Sequence, residues 1–190
     1  MSDIITINDI IPKTQQKFLL DLVTGIEFDW HYLDEVTYEK TIEDKKSVPG
    51  FCNMLYTNGV MNPQNQHANL FFPILLEFLD RTNLEMKQLH RMRLGLLMNT
   101  AYSMPHLPYS YNNPHIDMNS DHMVGLYYLN TSDGDTVIFN EIDEQNSYTV
   151  KSRITPEQGK FVCFNGKHYH ASSCPKMFTK RIVMTVNFSI

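Results

Sequence analysis

The segment "NNPHIDMNSDH", residues 112–122, sets two histidines and two aspartates within a few residues of one another. Imidazole and carboxylate are both metal ligands. His115 and Asp117 are one residue apart, so in extended chain their side chains project from one face. Pro114 biases Asn113 toward extended backbone and holds the segment out of a helix. An H-x-D pair alone reads as readily as a solvated turn, and a metal site needs a further donor. "FVCFNGKHYHASSCP" supplies two, His168 and His170, just past an apolar run. Either is placed to reach a shared ion. Asp121 and His122 read instead as a loop and the entry to the strand "HMVGLYYLN". In that strand His122, Val124, Leu126 and Tyr128 share one face; Met123, Gly125, Tyr127 and Leu129 share the other.

Two imidazoles and one carboxylate occupy one triangular face of an ion and leave the opposite face open, the arrangement of non-haem Fe(II) oxygenases. The last segment, "KRIVMTVNFSI", adds a second chemical feature. As a strand it puts Arg181, Val183, Thr185 and Asn187 on one face and Ile182, Met184, Val186 and Phe188 on the other. The apolar face must pack against helices or a second sheet. The other faces solvent or a polar pocket. An arginine buried in such a pocket needs an anionic partner, and a dicarboxylate fits it through bidentate contacts.

The elements that must position these groups follow from the pattern of the chain. Its 190 residues fit one domain with a sizeable core. Net charge is −5 and the pI about 5.9, with no basic block to indicate a nucleic-acid or anionic-membrane surface. The N-terminus lacks a signal-peptide pattern, "NLFFPILLEFLD" is too short to span a bilayer, and the three cysteines form no CxxC pair; a reducing cytoplasm is the expectation. Asn8 or Asp9 caps an expected helix that runs to Thr24, with Pro12 in its first turn. "IEFDWHYL" alternates like a strand. Residues 39–69 read as loops and short strands. Leu70–Leu79 is apolar nearly all round and predicts a buried helix. "TNLE", residues 82–85, matches a capping box that opens a further turn. From Arg91 onward, short β-branched and aromatic runs alternate with turns, the spacing of an antiparallel sandwich or barrel. The expected architecture is mainly β with N-terminal helices (α+β): a jelly-roll double sheet, residues 91–190, braced by helical and irregular support in residues 1–90.

The ordered set H-x-D, "YYLN", "DGDT", F-x-G-x-x-x-H-A and Arg, over about residues 91–190, resembles the 2-oxoglutarate and Fe(II)-dependent dioxygenases, and among them the prolyl 4-hydroxylase-like branch. The resemblance implies a double-stranded β-helix (jelly-roll) core, with His115, Asp117 and His170 as the iron ligands. It implies Arg181 as the clamp on the far carboxylate of 2-oxoglutarate, Tyr127 as a donor to that carboxylate, Thr185 closing the pocket, and Tyr102 near the other end of the co-substrate. It further implies O2 as co-substrate, ascorbate as a reductant, release of succinate and CO2, and hydroxylation of a C–H bond in a peptide side chain (proline among the candidates) or a small metabolite. Small chains of this kind occur in bacteria and their viruses, which places the cytoplasm of a bacterium or an infected host cell among the expectations. An aspartate at position 117 favours hydroxylation over halogenation, which needs that position vacant for chloride.

The chain departs from its relatives at "DGDT", where many carry Gly-Gly-x-Thr, at Val183 in place of a serine, and before His115. These departures bear on the substrate, which the sequence leaves open. Two further readings are an inert jelly-roll binding module and a zinc site of Cys163, His168, His170 and Cys174. The second is disfavoured by the small buried setting expected for Cys163 in "FVCF".

Overall fold

The runs from Arg91 onward fold as antiparallel strands, as their period predicts. The computed structural model describes residues 4–37, 48–57, 59–61, 67–99 and 111–190. In chain order the described elements are β1 (Ile4–Ile7), α1 (Lys13–Thr24), β2 (His31–Leu33), β3 (Gly50–Thr57), β4 (Val60–Met61), α2 (Ala68–Thr82), β5 (Gln88–Met98), β6 (Met123–Tyr128), β7 (Thr136–Phe139), β8 (Val150–Ile154), β9 (Phe161–Asn165), β10 (His170–Ser172) and β11 (Lys180–Ser189). The major sheet runs β1-β9-β6-β11-β5-β3-β2, with β4 paired to β3; the minor sheet runs β10-β7-β8. Facing one another, they form the double-stranded β-helix expected from the second half of the chain.

β11 is the central divider. Ile182, Met184, Val186 and Phe188 enter a core shared with both helices, while Val183 enters the core between the sheets beside Val124, Leu126, Tyr128, Ile138 and Phe164. This is the parity its alternation predicts. On the helix side Phe78 stacks on Phe161 at 4.6 Å between ring centroids. Each such ring is fully buried, and burial of a large apolar side chain stabilises by about 1.5–3 kcal/mol. Gly125 makes this contact possible, since a Cβ there would lie 2.7 Å from the Phe161 ring.

The first ninety residues do more than brace. Among the described residues they contribute four whole strands, β1–β4, and β3 pairs along β5 from Phe51↔Leu96 to Thr57↔Arg91. β3 escapes a pattern search because Gly50 and the buried Asn53 interrupt its apolar positions. α1 ends before Gly25, as expected, but starts later than expected: Pro12 is its N-cap residue and neither Asn8 nor Asp9 caps it. Asp9 accepts from Gln16 at 3.0 Å and pairs with Lys13. α2 is amphipathic and not buried all round: Phe71, Ile74, Leu75 and Phe78 face the core, whereas Leu70 and Leu76 remain 36% and 47% exposed. "TNLE" opens no further turn. Thr82 closes α2, its hydroxyl donating back to the Phe78 carbonyl at 2.7 Å, and Asn83 terminates the helix in the left-handed region at φ 51°. In "IEFDWHYL" only His31–Leu33 is extended. Among the described residues no helix is long and apolar enough to cross a membrane.

Candidate active site

His115 lies outside the named strands but is bridged to β10: its N–H donates to the His170 carbonyl at 3.0 Å, and the His170 N–H donates back to the His115 carbonyl at 2.9 Å. The pairing fixes the two imidazoles side by side, ring centroids 4.7 Å apart. Each ring is oriented by its own chain. His115 Nδ1 donates to the Asn113 carbonyl and His170 Nδ1 to the His168 carbonyl, both at 3.1 Å. Because a carbonyl can only accept, both Nδ1 atoms carry the proton and both Nε2 atoms keep a lone pair.

Asp117 is anchored from the other sheet. Arg91 Nη2 donates to its Oδ1 at 2.6 Å and Asn187 Nδ2 to its Oδ2 at 2.9 Å. Arg91 Nε in turn donates to Asn187 Oδ1 at 2.9 Å, which closes a three-membered ring of side chains on β5, β11 and the H-x-D loop. Donor atoms of His115, Asp117 and His170 all lie within 4.8 Å of one another, and His170 Nε2 stands 3.7 Å from Asp117 Oδ2. That last separation exceeds a hydrogen bond.

The electrostatics suit a cation. Burial pushes the His115 pKa down to about 4, with His170 adding to the effect and Asp117 opposing it. Burial likewise lowers His170. Burial alone would raise Asp117, but His170, Arg91, His115 and Arg93 together hold its carboxyl well below the usual range. At neutral pH the site therefore presents two neutral imidazoles and one carboxylate.

Arg181 is fully enclosed at 4% exposure. Its Nε donates to the Gly134 carbonyl and its Nη2 to Thr136 Oγ1, both at 2.8 Å, and its guanidinium lies 5.7 Å from the Tyr128 ring centre. Tyr128 donates to the same Thr136 hydroxyl at 2.8 Å. "DGDT" is thus a cradle for this arginine. Gly134 is required there: a Cβ would meet the Ser173 carbonyl at 2.5 Å. Asp133 fastens the adjoining turn, accepting from the N–H groups of Lys176, Met177 and Phe178. None of these partners of Arg181 carries a negative charge. One cavity joins Arg181 to the triad, and Thr136, Thr185, Leu126, Val183 and Arg93 are also in its wall.

The structure therefore brings together His115, Asp117, His170, Arg181 and Thr185. It does not bring Tyr127. Tyr127 projects to the helix side, into the core with Phe161, and its hydroxyl has no partner among the described residues. The face of β6 that meets Arg181 is that of Leu126 and Tyr128, the reverse of the expected parity. Every residue of β6 from Val124 on is buried, so alternation could not tell its two faces apart. Tyr102 lies outside the described residues. His168 points away, its Nε2 3.1 Å from Lys151 Nζ. His122 is buried under Gly166 with Nδ1 on the Ser120 carbonyl, and Asp121 pairs at the surface with Lys167. Cys163 sits in the helix-side core, where burial raises its thiol to about 12; among the described residues only His115, Asp117 and His170 form a metal-competent group. Sequence reasoning missed Arg91, Arg93 and Gly134. The only available signal was "RMR" within β5, which by itself reads as a solvated edge.

No known family and no curated protein matches this chain by sequence. Solved structures do match by fold. A 2OG-Fe(II) oxygenase family oxidoreductase from Burkholderia pseudomallei superposes with a TM-score of 0.64 at 11% identity, covering 98% of this chain and 85% of the other. A Pseudomonas putida prolyl-4-hydroxylase gives 0.58 at 13% identity, covering 99% and 93%. A non-heme alpha-ketoglutarate-dependent epimerase of nogalamycin biosynthesis gives 0.66 at 6% identity, covering 98% and 78%. The fold is that of the 2-oxoglutarate and Fe(II) oxygenases, prolyl hydroxylases included.

Proposed function

We propose that this protein is an Fe(II)- and 2-oxoglutarate-dependent oxygenase that hydroxylates a C–H bond of a peptide side chain or small metabolite, releasing succinate and CO2. One observation carries the reading: a single cavity has a two-histidine, one-carboxylate group in its wall and a buried arginine whose hydrogen-bond partners among the described residues are neutral. The residues fit the metal. Both Nε2 lone pairs are free, the imidazoles are neutral, and the carboxylate is ionised and pinned. His115, Asp117 and His170 are the ligands in this reading, and a bound Fe(II) supplies the oxidising power by coupling 2-oxoglutarate and O2 to attack on the substrate.

The chain's own groups do the rest. Arg91 and Asn187 hold Asp117 in one orientation and keep it charged. Arg181, already bonded through Nε and one Nη, retains donors for the far carboxylate of 2-oxoglutarate, and Tyr128 and Thr136 fix the plane of its guanidinium. Thr185 and Val183 shape the wall beside it. The enclosed setting of Arg181 strengthens the contact by excluding water.

Anaerobic titration tests this. Fe(II) with 2-oxoglutarate should give a weak visible charge-transfer band in the wild type and none in His170→Ala. Arg181→Ala should demand at least about tenfold more 2-oxoglutarate for the same band, because a buried charged contact is lost. Absence of the band, together with no succinate formation in air, would leave the jelly-roll as a binding module without redox chemistry.

A further inference from the structure

Among the described residues, Arg93 is the one charged group of the cavity that the proposed chemistry leaves unused. It stands on β5 opposite Thr185 of β11 and Met54 of β3. It acts on His115, His170 and Asp117, and it is itself influenced by Arg91, Asp117 and Cys52. It lines the cavity together with the triad and with Leu33, Val36, Phe51 and Cys52. No hydrogen bond or ion pair holds its guanidinium among the described residues. Arg181 pairs across the same ladder with Leu97, four residues along β5, which is about 13 Å of strand. The two arginines thus serve opposite ends of the cavity.

The charges in that cavity do not cancel. Its described wall holds two arginines and one acid, Asp117, and Asp117 is also paired with Arg91. A divalent ion and a dicarboxylate neutralise each other, so loading the site with both leaves the excess unchanged. Arg181 is engaged by the dicarboxylate and Asp117 by the ion, which leaves Arg93 as a cation without a counter-charge among the described residues. Arg93 is half-buried, and a cation partly withdrawn from water in a cavity wall calls for an anionic partner.

We infer that Arg93 is the specificity-determining residue for the substrate to be oxidised, and that this substrate carries a carboxylate which Arg93 binds beside the triad. The inference rests on the proposed oxygenase reading. Leu33, Val36 and Phe51 suit an apolar portion attached to that carboxylate. The carboxylate belongs to a small free acid or to a peptide C-terminus, which share the same chemistry.

Thermal unfolding of the full chain with Mn(II), which is redox-silent, and 2-oxoglutarate provides the test. The panel consists of free amino acids, short-chain organic acids and tripeptides, each set against its carboxamide. At least one acid should raise the Tm while its amide does not. Arg93→Gln should remove that difference and demand about tenfold or more acid, since a charged hydrogen bond is lost. Arg93→Lys should restore part of it, and 2-oxoglutarate should titrate Arg93→Gln within twofold of the wild type. A response to single acids identifies a free small acid, and a response to tripeptides alone identifies a chain terminus; either supports the inference. If no acid differs from its amide in the wild type, the inference is overturned. It is also overturned if Arg93→Gln weakens 2-oxoglutarate itself tenfold, since the guanidinium then serves the co-substrate. Should Mn(II) and 2-oxoglutarate fail to bind the wild type, the oxygenase reading falls, and the acid–amide comparison on the protein alone still decides the role of Arg93. Ligand-free Arg93→Gln should unfold at or above the wild-type Tm, because the variant removes an unpaired cation.

Discussion

Asn187→Ala isolates the part of the site that orients the carboxylate without touching a donor atom. Asn187 is fully buried, donates to Asp117 Oδ2 and accepts from Arg91 Nε, both at 2.9 Å. Truncation removes two hydrogen bonds to charged groups, each worth roughly 1.5–3 kcal/mol, and strands the Arg91 Nε–H. The Arg91–Asp117 contact at 2.6 Å survives, so the loss should fall near the lower end, about 3 kcal/mol. For a chain of this length that corresponds to a Tm drop of roughly 6–12 °C. Freed on one side, Asp117 should bind metal about 10–100-fold more weakly, the usual effect of losing an outer partner of a ligand. Isothermal titration with Mn(II) and differential scanning calorimetry measure both quantities. The 2-oxoglutarate contact of Arg181 should be untouched once metal is saturating. Metal affinity within twofold of wild type in a folded Asn187→Ala protein would refute the claim that this ring of side chains presents Asp117 to the ion.

Three further outcomes follow from the geometry. Tyr128→Phe should weaken 2-oxoglutarate several-fold by loosening Thr136 under Arg181, whereas Tyr127→Phe should leave it unchanged and hold or raise the Tm by removing a buried hydroxyl without a partner; titration and calorimetry of the two variants distinguish the faces of β6. His168→Ala should retain metal binding that His170→Ala loses, as read by Co(II) absorption; equal loss in both would contradict the placement of His168 beside Lys151. The metal-free protein should be most stable above pH 6.5 and lose about 3 kcal/mol as the pH falls from there toward 4. In that window the unfolded chain takes up a proton that half-buried His115 refuses. Urea titrations across pH 4–7 check the sign, and a stability that rose on acidification would reverse it.

What the sequence shows and what it hides divide along physical lines. β11 is legible because one of its faces is apolar and the other carries Arg181 and Thr185, so a period of two assigns each side chain to a core or to the cavity. β6 is buried on both faces, its alternation is silent, and the tyrosine chosen from resemblance is the one that turns toward the helices. His115, Asp117 and His170 declare themselves by residue type and order. Arg91, Asn187 and Gly134 do not, because their roles are set by partners 26 to 70 positions away. The capping-box match at Thr82 fails for a related reason: the same side chain that can open a helix can also close one, and α2 already occupied it.

The donors of the triad are fastened to different layers. Asp117 is tied to β5 and β11 of the major sheet, while His170 belongs to β10 of the minor sheet and holds His115 by its backbone. An ion shared by all three is therefore a clasp across the seam of the barrel. The small sheet has only three described strands, and a bound ion would tie it to the large one. Amide protons of β7 and β10 should exchange with solvent independently of β11 in the metal-free protein and in step with it once the clasp is closed, so that loading the site changes the cooperativity of the whole shell as well as its chemistry.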